Sequence, residues 1–501
     1  MLSELRMCLV ALATWMPATL VAQEAHVHPV PEKLGAVSFP ISCTVEAQNE
    51  FNRAVALLHS FAYVAAEDAF RHVLQQDPQC AMAHWGIAMS YYHQLWEPPI
   101  APGSNAQQEI EQAQRLGAKT EREQGFIQAA SKVFQDTATS SYANRALDYE
   151  HAMAALAAAN PNDVECQVFY ALALLANAPP SDKTHARQKK AAGLLEPLYA
   201  VYPEHPGIPH YLIHAYDNAE LAARGLSAAR AYAQIAPSAP HALHMPSHIF
   251  TRLGLWDDSI AANLAASTAA RKAGDIEEEL HARDYLVYAY LQSGRDRDAA
   301  VVIEQLKAMP KPNTATLKVG YAAVAMPIRY AVERGRWEEA ASILPPTSAP
   351  PHVLAIAVWA RGVGLARSGH PKEAAAAIET LNQIHKQLQD DGGDYWATQV
   401  GILEREVQAW SAESQGMKQD ALVRLREAAE VEDSVEKLPV TPGPILPARE
   451  QLGYLLLEQN QPELAAVEFQ TALINSPGRA GAIRGAAECA EKISAAPKSG
   501  R

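Results

Sequence analysis

Apolar positions recur along the chain at the spacing of amphipathic helices, and turns rich in glycine or proline separate the segments. In the segment AEDAFRHVLQQDP, Ala66, Phe70 and Val73 fall on one helical face, and Pro78 follows the end of the helix. The segment ELAAVEFQTALINSP near the other end of the chain has the same spacing. Alanine is abundant and β-branched runs are few, which favours helix over strand. The pattern predicts an all-α protein.

Helix-turn signals lie between these two segments, and in each of them an alanine stands five residues after a glycine. These pairs are Gly294/Ala299, Gly335/Ala340, Gly369/Ala374 and Gly416/Ala421. The glycine permits a tight turn, and the small alanine lets two helices pack closely. Together these segments resemble the tetratricopeptide repeat family over nearly all of the chain. The resemblance implies a right-handed superhelical solenoid of antiparallel helix pairs, with the first helix of each pair lining a concave groove.

The repeats are expected to be interrupted at three places, one of which is the loop LPPTSAPPHV at 344–353. Residues 94–145 hold a loop with proline and glycine and then two inserted helices, the second opening with a capping box at Thr120 and Glu123. The Pro-rich stretch 436–447 is predicted to be a break between repeats. The chain is therefore divided into a signal peptide at 1–25, an extended segment at 26–45, an N-terminal and central array at 46–310 that includes the insertion, C-terminal repeats at 311–478, and a capping helix and tail at 479–501.

The N-terminus is predicted to be a secretory signal peptide. Arg6 supplies a positive charge, and residues 7–22 are almost wholly apolar. A membrane anchor is the alternative, but this stretch is short for a span and contains Pro17. We therefore expect an exported protein, located in a periplasm or outside the cell.

Export makes the remaining cysteines informative, because disulfides form in oxidising compartments. Cys43 and Cys80 each stand just before a predicted helix, so a disulfide between them is a candidate. Sequence alone does not fix the connectivity. For Cys166 and Cys489, separate buried thiols are the alternative.

The charge of the chain excludes some partners. Its formal net charge is −14, and it has no basic cluster beyond the short ARQKK at 186–190. A nucleic-acid-binding protein normally presents a basic face. We therefore expect no nucleic-acid partner and, since no further segment is apolar enough to cross a bilayer, no integral membrane protein.

Two His-x-x-x-His pairs provide the strongest chemical signal. They are His210/His214 and His244/His248, and each member of the second pair lies 34 residues after its counterpart. Residues four apart on a helix share one face, about 5–6 Å apart. A 34-residue shift is the length of one tetratricopeptide repeat, which brings the second pair onto the adjacent first helix. Packed helices lie about 8–10 Å apart, so four imidazoles could converge on one point.

The resemblance implies that these histidines face the groove, together with further polar residues. Those are Asp217, His241, Arg252, His281 and Asp284. Zinc, copper and iron bind neutral imidazole, often with one carboxylate. We predict a transition-metal site, copper or zinc rather than iron, with the four paired histidines as ligands and Asp217 as a fifth or substituting ligand.

A comparison of two segments of the chain separates the residues that the repeat requires from the candidate metal ligands. The segment MPSHIFTRLGLW aligns without gaps with the later MPIRYAVERGRW. At the places of His244 and His248 the later copy has Ala325 and Arg329. The repeat itself therefore does not require histidine there.

A second candidate groove wall lies nearer the N-terminus. Trp85, Met89 and His93 recur at helical spacing and could contact an apolar ligand or soft Cu(I). The alternative is core packing, the usual fate of Trp and Met at this spacing.

The sequence leaves three functions open. The first is a metal-binding scaffold. The second is a peptide- or protein-binding scaffold, in which the histidines and Arg252 contact a partner's carboxylate. The third is a metal-dependent enzyme, and nothing in the sequence fixes a substrate or decides whether the protein is an enzyme.

Overall fold

The computed structural model describes residues 32–95, 103–310 and 312–495. Within these ranges the chain is helical and contains no strand, which confirms the all-α prediction. The predicted signal peptide at 1–25 lies outside the described residues. No helix in the described ranges is both long and apolar enough to span a membrane.

The helices follow one another in antiparallel pairs. The N-terminal helices are α1 (Val45–His59), α2 (Tyr63–Gln76), α3 (Ala81–Ser90), α4 (Asn105–Leu116), α5 (Glu121–Phe134), α6 (Tyr142–Ala159), α7 (Val164–Ala176) and α8 (Ala186–Val201). The central helices are α9 (Gly207–Tyr216), α10 (Leu226–Ile235), α11 (Pro240–His244), α12 (Pro246–Arg252), α13 (Trp256–Ala273), α14 (Ile276–Gln292) and α15 (Asp296–Ala308). The C-terminal helices are α16 (Leu317–Val332), α17 (Trp337–Ser342), α18 (Pro351–Arg367), α19 (Pro371–Asp390), α20 (Asp394–Ser414), α21 (Lys418–Asp433), α22 (Ala448–Glu458), α23 (Pro462–Asn475) and α24 (Ala480–Ala495).

The tetratricopeptide-like pairing rests on the small residues that the sequence pattern identified. Gly335 and Gly416 turn the chain between paired helices with φ of 62° and 78°, a conformation in which glycine has no steric cost. Ala340 and Ala421, five residues later, are fully buried between helices. At Gly453 a Cβ atom would lie 2.7 Å from the ring of Phe469, so only glycine lets α22 and α23 approach this closely.

The N-terminal end of the array is fastened in two ways. A disulfide joins Cys43, just before α1, to Cys80, just before α3. The extended segment before α1 hydrogen-bonds to later parts of the chain, for example from the Ala36 amide to the carbonyl of Glu204, in the turn between α8 and α9, at 2.8 Å. Cys166 and Cys489 are separate buried thiols.

The C-terminal repeats fold back onto the central ones. The Trp256 indole donates to the Gly478 carbonyl at 3.1 Å. The guanidinium of the fully buried Arg479 pairs with Glu450 at 2.6 Å and with Glu333 at 2.7 Å. These contacts bring the end of the solenoid against α13 and α14.

The Pro-rich stretch 436–447 does more than separate two repeats. We call it the strap, and it runs between α21 and α22 across the surface formed by the first helices of the central pairs. Tyr285 of α14 donates to two strap carbonyls, Pro439 at 3.1 Å and Thr441 at 3.0 Å. Arg329 of α16 donates to the Pro444 carbonyl at 3.0 Å. The groove that the resemblance implied is thus covered by the protein's own chain.

Candidate metal centre

Six histidines form one buried cluster on three neighbouring elements, α9, the α11–α12 pair and α14. Proline lacks the N–H that continues a helix, and the chain breaks between α11 and α12 at Pro246. Both sides of the break still present histidines to the same region. The six side chains are at most 9% exposed, and they are His210, His214, His241, His244, His248 and His281.

The cluster divides into two groups of three, which differs from the single four-histidine site that the spacing predicted. The α9 trio is His210, His214 and His241, and the α14 trio is His244, His248 and His281. Within each trio one ligand atom per residue lies within 4.8 Å of the others.

The division follows from the positions of the ligand atoms rather than of the ring centres. The ring centroids of His214 and His248, in different trios, are 6.0 Å apart. Within the α14 trio the centroids of His244 and His281 are 4.4 Å apart and those of His248 and His281 are 6.2 Å apart. His241 and His281, predicted only as groove residues, therefore complete the two sets.

In the α14 trio two imidazoles face each other, while the other nitrogen of each ring lies against an oxygen acceptor. The Nε2 atoms of His244 and His248 face each other at 3.0 Å. The Nδ1 of His244 lies 2.7 Å from Asn263 Oδ1, and that of His248 lies 2.9 Å from Asp217 Oδ2. Both oxygens are acceptors, since the Asn263 amide nitrogen already donates to the Ser259 carbonyl. A neutral imidazole has one N–H, so both Nε2 atoms present lone pairs to each other.

In the α9 trio the facing imidazoles, His210 and His214, do not have to point two lone pairs at each other. His210 Nδ1 donates to the His59 carbonyl at 2.6 Å, which leaves a lone pair on its Nε2. His214 Nε2 lies 3.1 Å from that atom. His214 Nδ1 has no hydrogen-bond partner in the described part of the chain. His214 can therefore carry its proton on Nε2 and donate to His210.

Asp217, predicted as a ligand, lies behind the His248 ring. Its carboxylate accepts from His248 Nδ1 at 2.9 Å, from Arg252 Nε at 2.9 Å and from Lys437 Nζ at 2.8 Å. These contacts leave it facing the back of the His248 ring rather than the Nε2 side. A carboxylate in this place orients an imidazole and makes it a stronger ligand.

Burial sets the charge state of the cluster. Desolvation lowers the pKa of His248 to about 4 and lowers the pKa values of His210, His214, His244 and His281 well below 6.5. Burial alone would raise the pKa of Asp217, but Lys437, Arg252 and His248 outweigh it and hold that pKa well below its usual range. These five imidazoles are thus neutral, as metal ligands must be.

The remaining predicted groove residues hold the cluster and the strap in place. Arg252 bridges Asp217 to Glu436 of the strap, 3.5 Å away. Asp284 is fully buried with Arg329 Nε 3.6 Å away. Arg329 is the residue that replaces histidine in the later internal copy, and its ion pair marks the end of the histidine cluster.

A cavity of about 100 Å³ reaches the α9 trio. It is lined by His214, by Asp217 and Lys437, and by the side of α8 at Gln188. Gln188 Oε1 is buried and has no hydrogen-bond partner in the described ranges, like His214 Nδ1. The cavity therefore has polar groups available to water or a small ligand.

The predicted groove wall divides between core and surface. Trp85 and Met89 are each 1% exposed and belong to the N-terminal core, where Trp85 packs on Phe39 at 5.6 Å. These two residues therefore agree with the core alternative. His93 is half-buried and stacks on Tyr63 at 4.0 Å.

A third buried group was not identified from the sequence. His59, Glu165 and His205 come from α1, α7 and the turn before α9. Glu165 accepts from His59 at 2.8 Å and from His205 at 3.0 Å, and His59 Nδ1 contacts the Tyr211 hydroxyl at 2.9 Å. The carboxylate accepts from both imidazoles that face it, while His205 Nδ1 is buried without a hydrogen-bond partner in the described ranges. No fixed spacing links these residues in the sequence, which is why pattern reasoning missed them.

Comparisons with known proteins add little beyond the helical character. No protein-family model and no curated protein matches the sequence. Among solved structures, the APC/C hetero-tetramer Cut9–Hcn1 has a TM-score of 0.37 at 10% identity, covering 90% of this chain and 77% of that one. The human IFIT1 dimer with PPP-AAAA has a TM-score of 0.30 at 15% identity, covering 77% and 72%. The same dimer with m7Gppp-AAAA has a TM-score of 0.31 at 14% identity, covering 77% and 72%. Similarities this low bear on neither the ligand nor the partner of this chain.

Proposed function

We propose that the protein binds a divalent transition-metal ion through the α14 trio, His244, His248 and His281. The observation that carries the proposal is the 3.0 Å approach of two Nε2 atoms whose Nδ1 atoms are both committed to oxygen acceptors. Facing lone pairs repel, and a cation bound by both removes the repulsion. A shared proton is the competing explanation.

The ligand chemistry favours zinc or copper. Three neutral imidazoles suit Zn²⁺ at about 2.0–2.1 Å, and three protein ligands leave a fourth position for water or substrate. Copper binds nitrogen ligands more tightly than other divalent first-row metals. Asp217 and Asn263 would act as outer partners, each fixing one ligand ring through Nδ1.

We also propose that the protein acts outside the cytoplasm. The Cys43–Cys80 disulfide supports this, because such bonds persist in oxidising compartments. The predicted signal peptide at 1–25 is the second support. N-terminal sequencing of a periplasmic or secreted fraction tests it, and intact Met1 in a cytoplasmic fraction would contradict it.

The other two functions from the sequence are less well supported. A peptide partner would have to displace the strap, whose Lys437 is ion-paired with Asp217 and only 8% exposed. A metal-dependent enzyme requires the proposed ion first, and no described feature fixes a substrate. Metal binding is therefore the function to test before either.

The test is metal retention by a variant that keeps a polar side chain in place. His248→Gln removes one imidazole of the trio but can still donate a hydrogen bond to Asp217. His352→Gln is the matched control, since His352 is a partly buried histidine that stacks on Trp396 at 4.1 Å, outside the cluster. Proteins are loaded with zinc, dialysed and analysed by inductively coupled plasma mass spectrometry. The wild type and the control should retain one zinc ion per chain more than His248→Gln does, and a metal-free wild type would favour the shared proton instead.

A further inference from the structure

We infer that the cluster holds a second divalent ion, bound by the α9 trio His210, His214 and His241, with an open coordination position toward the cavity at Gln188. This rests on the proposed function only in sharing the same cluster, because the three ligands are different residues. The trio presents one ligand atom per residue within 4.8 Å of the others.

The orientation of two of the rings is fixed as a metal site requires. His210 Nδ1 donates to the His59 carbonyl at 2.6 Å. His241 Nδ1 donates to the Glu278 carboxylate at 3.0 Å, and Glu278 is in turn paired with Lys318. In both rings the N–H is on Nδ1, so Nε2 carries the lone pair that a metal ion accepts.

The third ring links the ion to the cavity. His214 Nε2 faces His210 Nε2 at 3.1 Å, and the same side chain lines the cavity of about 100 Å³. When His214 Nε2 binds metal, its proton moves to Nδ1, which has no partner in the described ranges and can donate to a water in the cavity. Three histidine ligands leave a fourth coordination position for water or a small anion, and the charge of the ion favours the anion. Of the trio only His214 lines the cavity, which is also lined by Lys437 and by the carboxylates of Asp217 and Glu436.

The two trios are neighbours in one cluster. Ring centroids of His241 and His244, which belong to different trios, are 6.0 Å apart, as are those of His214 and His248. The ligand expected at the open position of the α9 trio is a small anion, because the bound cation attracts it.

Zinc stoichiometry separates this inference from the proposed function. After loading and dialysis, the wild type should retain two ions per chain, His214→Gln one and His248→Gln one, and the double variant none. A wild type with one ion that His214→Gln keeps and His248→Gln loses would overturn the second site alone. A wild type with no ion would overturn both proposals.

The open position is tested on the ion of the α9 trio by itself. His248→Gln is loaded with Co²⁺, and azide should change its visible absorption spectrum. An unchanged spectrum would overturn the open position. His241→Gln is analysed beside His214→Gln, and circular dichroism of all variants checks folding, so that misfolding of one variant leaves the other to decide.

Discussion

The Lys437 ammonium lies 2.8 Å from Asp217 Oδ2, although the two residues are 220 positions apart in the chain. Both side chains are almost fully buried, at 8% and 6% exposure. This ion pair fastens the strap to the helix pair that carries the α9 trio, and the same carboxylate orients His248. The strap and the candidate metal centre therefore share one charged group.

Replacing Lys437 with Met should destabilise the protein by about 3 kcal/mol, because it breaks a buried ion pair and leaves Asp217 less compensated. Urea unfolding measures the change. Lys183→Met is the control, since Lys183 also pairs with the strap, through Glu436, but its side chain is 47% exposed. That change should cost less than about 1 kcal/mol. Equal losses of unfolding free energy in Lys437→Met and Lys183→Met would show that the strap is not held by the buried pair.

Replacing Asp217 with Asn should weaken zinc binding at the α14 trio about 10–100-fold without abolishing it, because an outer carboxylate tunes a ligand that it does not replace. Competition with a fluorescent chelator gives the affinity. Asp68→Asn, on the exposed face of α2, is the matched control and should bind as the wild type does. Complete loss of the ion in a folded Asp217→Asn protein would instead make Asp217 a ligand, as the sequence pattern predicted.

Removing the Cys43–Cys80 disulfide should destabilise the N-terminal repeats. The bond closes a loop of 37 residues, for which chain entropy gives about 4 kcal/mol. The Cys43→Ala/Cys80→Ala protein should unfold at lower urea than the wild type, and reducing agent should shift only the wild type. A wild type that is insensitive to reduction would show that the bond contributes no stability.

The metal-free protein should lose stability as the pH falls below about 6.5, the ordinary histidine pKa. Burial lowers the folded-state pKa of His248 to about 4 and that of His244 well below its ordinary value, so between pH 6.5 and these lowered pKa values the unfolded chain binds protons that the folded chain does not. Each such imidazole contributes a slope of up to about 1.4 kcal/mol per pH unit.

Other buried groups also titrate in this range, and a variant isolates the histidine contribution. Asp284 and Glu432 work in the opposite direction, because burial raises their pKa values to about 6 and about 7. His244→Gln/His248→Gln should therefore show a shallower loss of stability than the wild type between pH 7.5 and pH 5, measured by thermal unfolding without metal. Identical pH profiles would contradict neutral burial of the two imidazoles.

The sequence predicted those features that local spacing determines. Helix periodicity and the glycine turns gave the paired helices, and the capping box at Thr120 and Glu123 is present at the start of α5. The 34-residue shift brought the two histidine pairs to neighbouring helices. All of these depend on residues within one repeat of each other.

The features that the sequence did not reveal depend on distant contacts. The strap was predicted as a break because its prolines prevent helix, but its role depends on partners such as Asp217 and Tyr285 in earlier repeats. The division into two trios depends on where His241 and His281 lie within their repeats, and a 34-residue period does not encode those positions. The Glu165 group joins three separate elements.

X-ray absorption spectroscopy of the zinc-loaded protein tests directly whether histidine imidazoles bind the ion, because it reports the atoms bound to the ion. With one equivalent of zinc, the account predicts about three imidazole nitrogens at about 2.0–2.1 Å, with the outer-shell scattering of histidine rings. The His214→Gln/His248→Gln double variant should lose the ion, since each single variant keeps one complete trio. A first shell of oxygen without imidazole scattering, or no protein-bound zinc, would contradict zinc binding by the histidines.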